Sequence, residues 1–350
     1  MKRPALWIAA VVTLPALLVG GGGVPVVHAQ KPLVKLTAAM GSQGILWTAY
    51  YVAVDQGFFA QEGLEVEHLN APAANSLTAV ISGNAHVAAA TVHLITGRSK
   101  GEAIKAFVPL QEQFATAMVL SRAAIEKSGI KSGMSVEDKM RRLRGLRIGI
   151  TSPGSTIDLL LRNLAVSAGL KPDQDIKLVP FGSEGVPMLA ALERGVIDGF
   201  MYVPPWPEEA VDRGLGEMVL NPHAGEVKEL QGVSYLAYYG REEWLRSKPD
   251  EVARFTRAIG KALRHIHQNP ESAIDSVHKR VPQTKRAILA TAFKSYAKSI
   301  PRDTRVSRDS MDKALWLFNL GKPADKQVKL RYEDLVAPEF GEQAARELGL

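Results

Sequence analysis

The stretch from Leu46 to Glu67, LWTAYYVAVDQGFFAQEGLEVE, constrains the fold more than any other, because it encodes one helix, one stop and one strand in immediate succession. Leu46, Ala49, Tyr50, Ala53, Val54 and Gly57 recur at i, i+3, i+4, i+7, i+8 and i+11, the apolar stripe of a helix lying on a sheet. Gly57 and Gly63 supply the stop and the turn, because glycine enters the left-handed conformations that end helices at little cost. Leu64 and Val66 then alternate with Glu65 and Glu67, which predicts a half-buried strand, and Val34 to Ala38 predicts another strand before the helix. Strand, helix and strand in that order make a parallel α/β unit.

The first residues read as a leader rather than as part of this fold. Lys2 and Arg3 precede an apolar run from Pro4 to Val19, and Val27-His28-Ala29 ends in the small-residue pattern of a cleavage site, so residues 1–29 are expected to be a secretory signal peptide. An uncleaved anchor fits less well, because the run is broken at Gly20 to Gly23 and falls short of the roughly 20 apolar residues that a span needs. Cleavage would leave about 320 residues, which suits two domains. The chain has no cysteine, which excludes disulfides, thiolate metal sites, thiol nucleophiles and a lipid-modified cysteine at the cleavage point. A disulfide-free exported chain is expected in the periplasm. The formal charge of +7 falls by two when Lys2 and Arg3 are removed, a modest excess for a chain of this size.

Helix and strand continue to alternate after Glu67. Asn75 can cap a helix carrying Leu77, Val80 and Ile81, Gly83 ends it, and His86 to Ala90 and Ile104 to Val108 read as strands. The apolar run Phe114 to Leu120 and a basic helical segment, Met134 to Arg144, follow. At Arg147 the alternation begins again with RIGITSPGSTIDLLLRNLAVSAGL, in which Ile157, Leu160, Leu161, Leu164, Ala165 and Ala168 repeat the earlier stripe. Strands at Ile176 to Val179 and Val196 to Met201 flank a helix with Pro187 in its first turn. Val233 to Tyr239 is an apolar run without helical period, read as a strand that returns the chain to the first domain. Beyond it the sequence is mostly helical, with a start at Ser247, Pro249 and Asp250 and a break at Asn269-Pro270. Trp244, Trp316 and Phe318 are expected in the core.

These residues together resemble a known family: the periplasmic solute-binding proteins of nitrate, sulfonate and taurine ABC transporters, which include binders of thiamine pyrimidine precursors. The resemblance rests on YVAVDQGFFAQEGLEV at Tyr51 to Val66, the Ser82-Gly83 turn, LRGLRIGITSPGST at Leu143 to Thr156, LERGVIDG at Leu192 to Gly199, and Pro204-Pro205-Trp206. It covers almost the whole chain after residue 29. It implies a two-lobed α/β type II binding-protein fold whose lobes are joined by two crossover strands and close over a ligand by hinge motion. Phe114 to Leu120 and Val233 to Tyr239 are the candidate crossovers, which places lobe 1 at residues 30–120 and 236–350 and lobe 2 at residues 121–235.

In open α/β sheets, ligands collect at the carboxyl ends of the strands. That rule selects Ser42, Gln43, Gly44 and Trp47 after the first strand, Asn75 and Ser76 after the second, and Thr91 and His93 after the third. From the second lobe it selects Ser152, Gly154, Ser155 and Thr156, then Tyr202 and Trp206. The loop Gly149 to Thr156 has the glycine spacing of a P-loop, but Ser155 stands where the lysine should be, so nucleotide hydrolysis is not expected. Its helix amino terminus could hold an anionic group, or Ser155 could simply cap the helix with Asp158 completing a capping-box-like pair. Gln43 and Asn75 can orient a polar ligand, and Trp47, Tyr202 and Trp206 can wall a ring or alkyl chain.

The sequence holds no H-E-x-x-H or G-x-S-x-G motif, and His265 and His267, two apart on a helix, point to different sides. The basic run Lys139, Arg141, Arg142, Arg144 and Arg147 lacks interleaved aromatics and is expected to be a solvated face rather than a nucleic-acid surface. No catalytic residue, metal or cofactor is therefore expected. The expected function is that of a monomeric ABC importer component, carrying a small anionic or zwitterionic organic molecule to an inner-membrane permease with a cytoplasmic ATPase. Two alternatives stand beside it: an enzyme of thiamine-pyrimidine synthesis, and a ligand-sensing partner of a membrane receptor. The resemblance implies that the enzyme branch uses a lysine-linked pyridoxal phosphate and a cysteine-rich iron motif; this chain has no cysteine.

Overall fold

Gly57 and Gly63 take φ values of +68° and +72°, and between them the chain turns from the helix Thr48–Asp55 into a strand, as their sequence positions require. The computed structural model describes residues 32–41, 44–71, 74–182 and 185–350. The expected signal peptide, residues 1–29, and the candidate ligand residues Ser42 and Gln43 lie outside the described residues.

Within the unit Leu33–Leu350 the chain lays down β1 (Val34–Met40), β2 (Leu64–Asn70), β3 (Val87–Ala89) and β4 (Ile104–Gln113). It continues with β5 (Ala117–Leu120), β6 (Arg147–Ile150), β7 (Lys177–Pro180), β8 (Gly199–Tyr202), β9 (Glu217–Leu220) and β10 (Gln231–Arg241). These form two five-stranded sheets, ordered β2-β1-β3-β10-β4 and β7-β6-β8-β5-β9. In the first, β1 runs parallel to β2, with Val34 opposite Leu64, and to β3, whereas β10 is antiparallel to β3 and β4. In the second, β6 is parallel to β7 and β8, and β5 is antiparallel to β8 and β9. The two orders are the same pattern. In each sheet the fourth place is taken by the strand that has just arrived from the other, β10 in the first and β5 in the second.

This pairing refines where the chain crosses. β5 already belongs to the second sheet, so the first crossing is confined to Phe114, Ala115 and Thr116 rather than extending through Leu120. The return runs between β9 and β10 through two short 3-10 turns, Pro222–Ala224 and Lys228–Leu230, and Val233 to Tyr239 is already first-sheet strand. Side chains tie the sheets together beside these crossings. Asn163 Nδ2 donates to the Leu317 carbonyl at 3.0 Å, Thr284 Oγ1 donates to Glu209 at 2.9 Å, and Lys285 Nζ meets Asp212 at 2.9 Å.

Several side chains sit differently from their sequence expectation. On the Thr48–Asp55 helix Tyr51 and Val52 are buried while Val54 is 41% exposed, because that helix packs on two further helices, Pro249–Gln268 and Pro270–His278, as well as on its sheet. Trp244 is buried against Phe107 and His86, but Trp316 is 46% exposed, and Phe318 is half-buried beneath the Lys322 ammonium. His86 lies just before β3, and its Nδ1 accepts the Thr37 N–H at 3.0 Å. The basic run is largely exposed, as expected, at Arg141, Arg142 and Arg144, but its charges are mostly held by partners. Lys139 pairs with Glu226, Arg141 with Glu137 and Asp138, Arg144 with Asp175, and Arg147 grips Asp198 through two nitrogens at 3.1 and 2.8 Å. Arg142 donates to the Ser128 carbonyl.

Candidate functional site

The parallel strands of both sheets aim their carboxyl ends at one another, and a cavity of about 120 Å³ lies where they meet. β1 contributes Ala39 and Met40 and is followed by Gly41, Gly44, Leu46 and Trp47; the turn after β2 contributes Ala71 and Ser76, and that after β3 Ala90 and His93. From the second sheet come Thr151, Ser155, Thr156 and Ile157 after β6, and Tyr202 and Val203 at the end of β8. Tyr235 and Leu236 of β10 complete the wall. Such placement follows the rule that crevices in α/β sheets open at strand carboxyl ends.

No lysine, arginine, aspartate or glutamate lines this cavity among the described residues. The polar side chains that line it carry hydroxyls, one imidazole and the Trp47 indole N–H. Burial pushes the His93 pKa down to about 4, so the ring is neutral at neutral pH. His93 Nδ1 and Thr151 Oγ1 are both buried without a hydrogen-bond partner, an arrangement that folding alone does not favour.

Ser155 serves two roles. Its Oγ accepts the Asp158 N–H at 3.2 Å and so caps the Thr156–Ser167 helix, while its side of the turn faces the cavity. The Asp158 carboxylate accepts the Gly154 N–H at 2.8 Å and the Arg162 Nε–H at 2.8 Å, and Arg162 also holds Asp173 at 2.6 and 2.9 Å. The helix mouth therefore already carries a negative group of its own, and Arg162 is spent on two carboxylates.

Of the sequence-selected residues, Gly44, Trp47, Ser76, Ser155, Thr156 and Tyr202 are brought together around this cavity, as is His93. The other described candidates are placed elsewhere. Asn75 is exposed on the first turn of the Ala74–Ile81 helix, one residue out of phase with buried Ser76. Thr91 turns behind the cavity, its hydroxyl 3.2 Å from that of Ser234 on β10, so it fastens the Thr91–Ser99 helix to the returning strand. Ser152 and Gly154 lie in the turn before the helix and offer their backbones to it: the Ser152 carbonyl accepts from Ser155, and Gly154 donates to Asp158. Trp206 is only 3% exposed and fills the space above Gly185, where any Cβ would come within 2.2 Å of the indole.

Thr151, Tyr235 and Leu236 were not selected. Thr151 follows β6 directly, so the strand-end rule extended by one residue would have found it. Tyr235 and Leu236 lie in mid-strand, and only the antiparallel insertion of β10 carries them past the ends of the parallel strands.

Two α/β lobes, two crossings and a cleft at the strand ends define a periplasmic-binding-protein fold. Residues 45–279 match the NMT1-like family, to which this chain belongs. The nitrate import ATP-binding protein NrtC of Synechocystis is 28% identical over 61% of this chain and 32% of its own length. The riboflavin-binding protein RibY of Chloroflexus aurantiacus is 26% identical over 79% of this chain and 75% of its own. A 4-amino-5-hydroxymethyl-2-methylpyrimidine phosphate synthase of Uromyces fabae is 29% identical over 60% of each. The chain thus spans about a third of NrtC, and 25% of the nitrate/nitrite binding protein NrtA of Nostoc. Among solved structures, a Bordetella bronchiseptica protein superposes with a TM-score of 0.78 at 22% identity, covering 92% of this chain and 99% of that one. The periplasmic nitrate-binding protein NrtA of Synechocystis gives 0.67 at 15%, covering 90% and 89%.

Proposed function

We propose that this protein is the substrate-binding component of an ABC importer, which holds a small organic molecule in the cavity between its two sheets and presents it to a membrane permease served by an ATPase. The observation that carries this reading is the cavity's position: both lobes build its walls, so a bound molecule would join them and couple occupancy to lobe closure. The ligand class ranges over the sulfonates, taurine, nitrate and pyrimidine-like molecules of the resembling family. The names of NrtC, NrtA and RibY support an import role, and the signal peptide reading of residues 1–29 supports a periplasmic location for a monomeric binder.

Similarity to the pyrimidine phosphate synthase supports an enzymatic alternative. Two features favour binding over chemistry. The chain has no cysteine to form an iron-binding motif, and no lysine lines the cavity among the described residues to anchor an aldehyde cofactor. A sensing role would use the same cavity and the same closure, with a receptor in place of the permease.

A thermal-shift screen of residues 30–350 against sulfonates, nitrate, taurine, amino-pyrimidines and flavins tests the import reading. A ligand at 100 times its Kd should stabilise the fold by about 2.7 kcal/mol. Small-angle scattering with the stabilising ligand should then show a smaller radius of gyration. A ligand that is turned over, or one that binds without lobe closure, would count against import.

A further inference from the structure

We propose that the cavity selects an uncharged, single-ring-sized polar molecule, clasped between His93 Nδ1 on the first lobe and Thr151 Oγ1 on the second, and that it rejects free oxyanions. This rests on the binding reading above and narrows it. His93 belongs to the helix that follows β3, and Thr151 to the turn that follows β6, so the two groups approach the cavity from opposite sheets. Each is buried and lacks a partner within the protein. Buried polar atoms in folded proteins are almost always satisfied, so two orphans on residues that line one cavity mark where a ligand's own polar groups belong.

Charge decides the ligand class. A nitrate or sulfonate buried here would meet no lysine or arginine among the described residues of the cavity wall, and its negative charge would lie near the Asp158 carboxylate that already occupies the helix mouth. Burial keeps the imidazole neutral, so His93 supplies no cation either. A neutral imidazole and a hydroxyl can each donate or accept, which matches a molecule with a donor and an acceptor on opposite edges. The remaining wall is mostly apolar and aromatic, with Trp47, Tyr202, Tyr235 and Ile157 among its members, and adds the neutral hydroxyl residues Ser76, Ser155 and Thr156. The cavity measures about 120 Å³, somewhat less than the dry cavity of about 150 Å³ that accepts a benzene ring, so one small ring is its upper limit.

The test compares matched probes of one size and different charge: nicotinamide against nicotinate, with nitrate and methanesulfonate as bare anions. Binding to the mature wild-type chain and to the variants His93→Phe, His93→Asn and Thr151→Val is followed by calorimetry and by thermal shift. Nicotinamide is expected to bind at least tenfold more tightly than nicotinate or either anion. His93→Phe and Thr151→Val are each expected to weaken it at least tenfold while melting no lower than wild type, because both remove an unpaired buried polar atom. His93→Asn, which returns an amide near the Nδ1 position, is expected to recover part of the loss.

Anions that bind as tightly as nicotinamide, or variants that bind nicotinamide as well as wild type does, would overturn the proposal and leave the import reading standing. Failure of nicotinamide to bind at millimolar concentration would also overturn it. If the anions bind in that case, import survives without this ligand class; if all probes and the wider screen stay silent, both fall.

Discussion

Replacing Glu208 with glutamine should make the protein markedly more stable at pH 8 and leave its stability at pH 4 almost unchanged. Glu208 lies in the first turn of the Trp206–Asp212 helix, beside a cavity shared with Met218, Lys285 and Ile288. Its neighbours on that helix are engaged, Glu209 by Thr284 and Asp212 by Lys285, but Glu208 Oε2 is buried without a partner. Burial raises its pKa from an ordinary 4.5 to about 7, and a hydrogen bond from its own N–H offsets only part of this. The folded chain therefore keeps its proton where the unfolded chain has lost it. Below pH 4.5 both states are protonated and nothing is lost; between 4.5 and 7 stability falls with rising pH; above 7 the loss is complete, at about 3 kcal/mol. Glutamine has no such titration, so the variant's advantage should grow over that interval and then level off. Urea unfolding of both proteins at half-unit steps from pH 4 to pH 8 measures it, and taking the difference removes the other titrating groups. A difference that does not change with pH would refute the reasoning, because Glu208 would then titrate alike in both states.

The other predictions act at separate places. Burial beside the Tyr296 ring holds the His223 pKa near 4, only partly offset by the Ala292 backbone, so the fold loses up to about 3 kcal/mol as pH drops from 6.5 towards 4; His223→Phe should abolish that loss in acid unfolding curves. Arg280 clasps Asp55 through two bonds of 2.6 Å and lies over the Tyr51 ring, so Arg280→Ala leaves a nearly buried carboxylate to the exposed Lys279 at 3.3 Å and should cost about 1–3 kcal/mol in urea unfolding at pH 7. Gly199 pairs β8 with β5 so closely that a Cβ would lie 2.4 Å from the Val119 carbonyl oxygen; Gly199→Ala should destabilise by about 1–3 kcal/mol, seen as a lowered Tm.

Local order was legible because each of its causes lies within a few residues. The helix within Leu46 to Gly57, the alternation at Leu64 to Glu67 and the cap at Ser155 depend only on neighbours, and the structure keeps all three, although packing on two further helices buries Tyr51 and Val52 and leaves Val54 of the expected stripe exposed. What escaped was set at long range. Nothing near Tyr235 says that its strand will enter an already formed sheet antiparallel between β3 and β4, so the cavity residues it carries could not be found from strand ends. The tryptophans show the same limit. Trp206 becomes a packing piece because Gly185 leaves room for it, whereas Trp316, equally apolar, meets solvent because its side of the Arg308–Asn319 helix is not covered. Asn75 and Ser76 were equally eligible by sequence, and the phase of one helical turn separates them.

The two crossings have a consequence for how the molecule is made. Every strand of the second sheet comes from Ala117–Leu220, one uninterrupted stretch, so a growing chain can complete that half as soon as the stretch has left the ribosome. The first sheet begins earlier and finishes later. Its fourth place stays vacant, with the edges of β3 and β4 unpaired, until Gln231–Arg241 arrives. The half that starts first is thus the half that must wait, and during that wait its open edges are the part of the nascent protein most exposed to wrong partners.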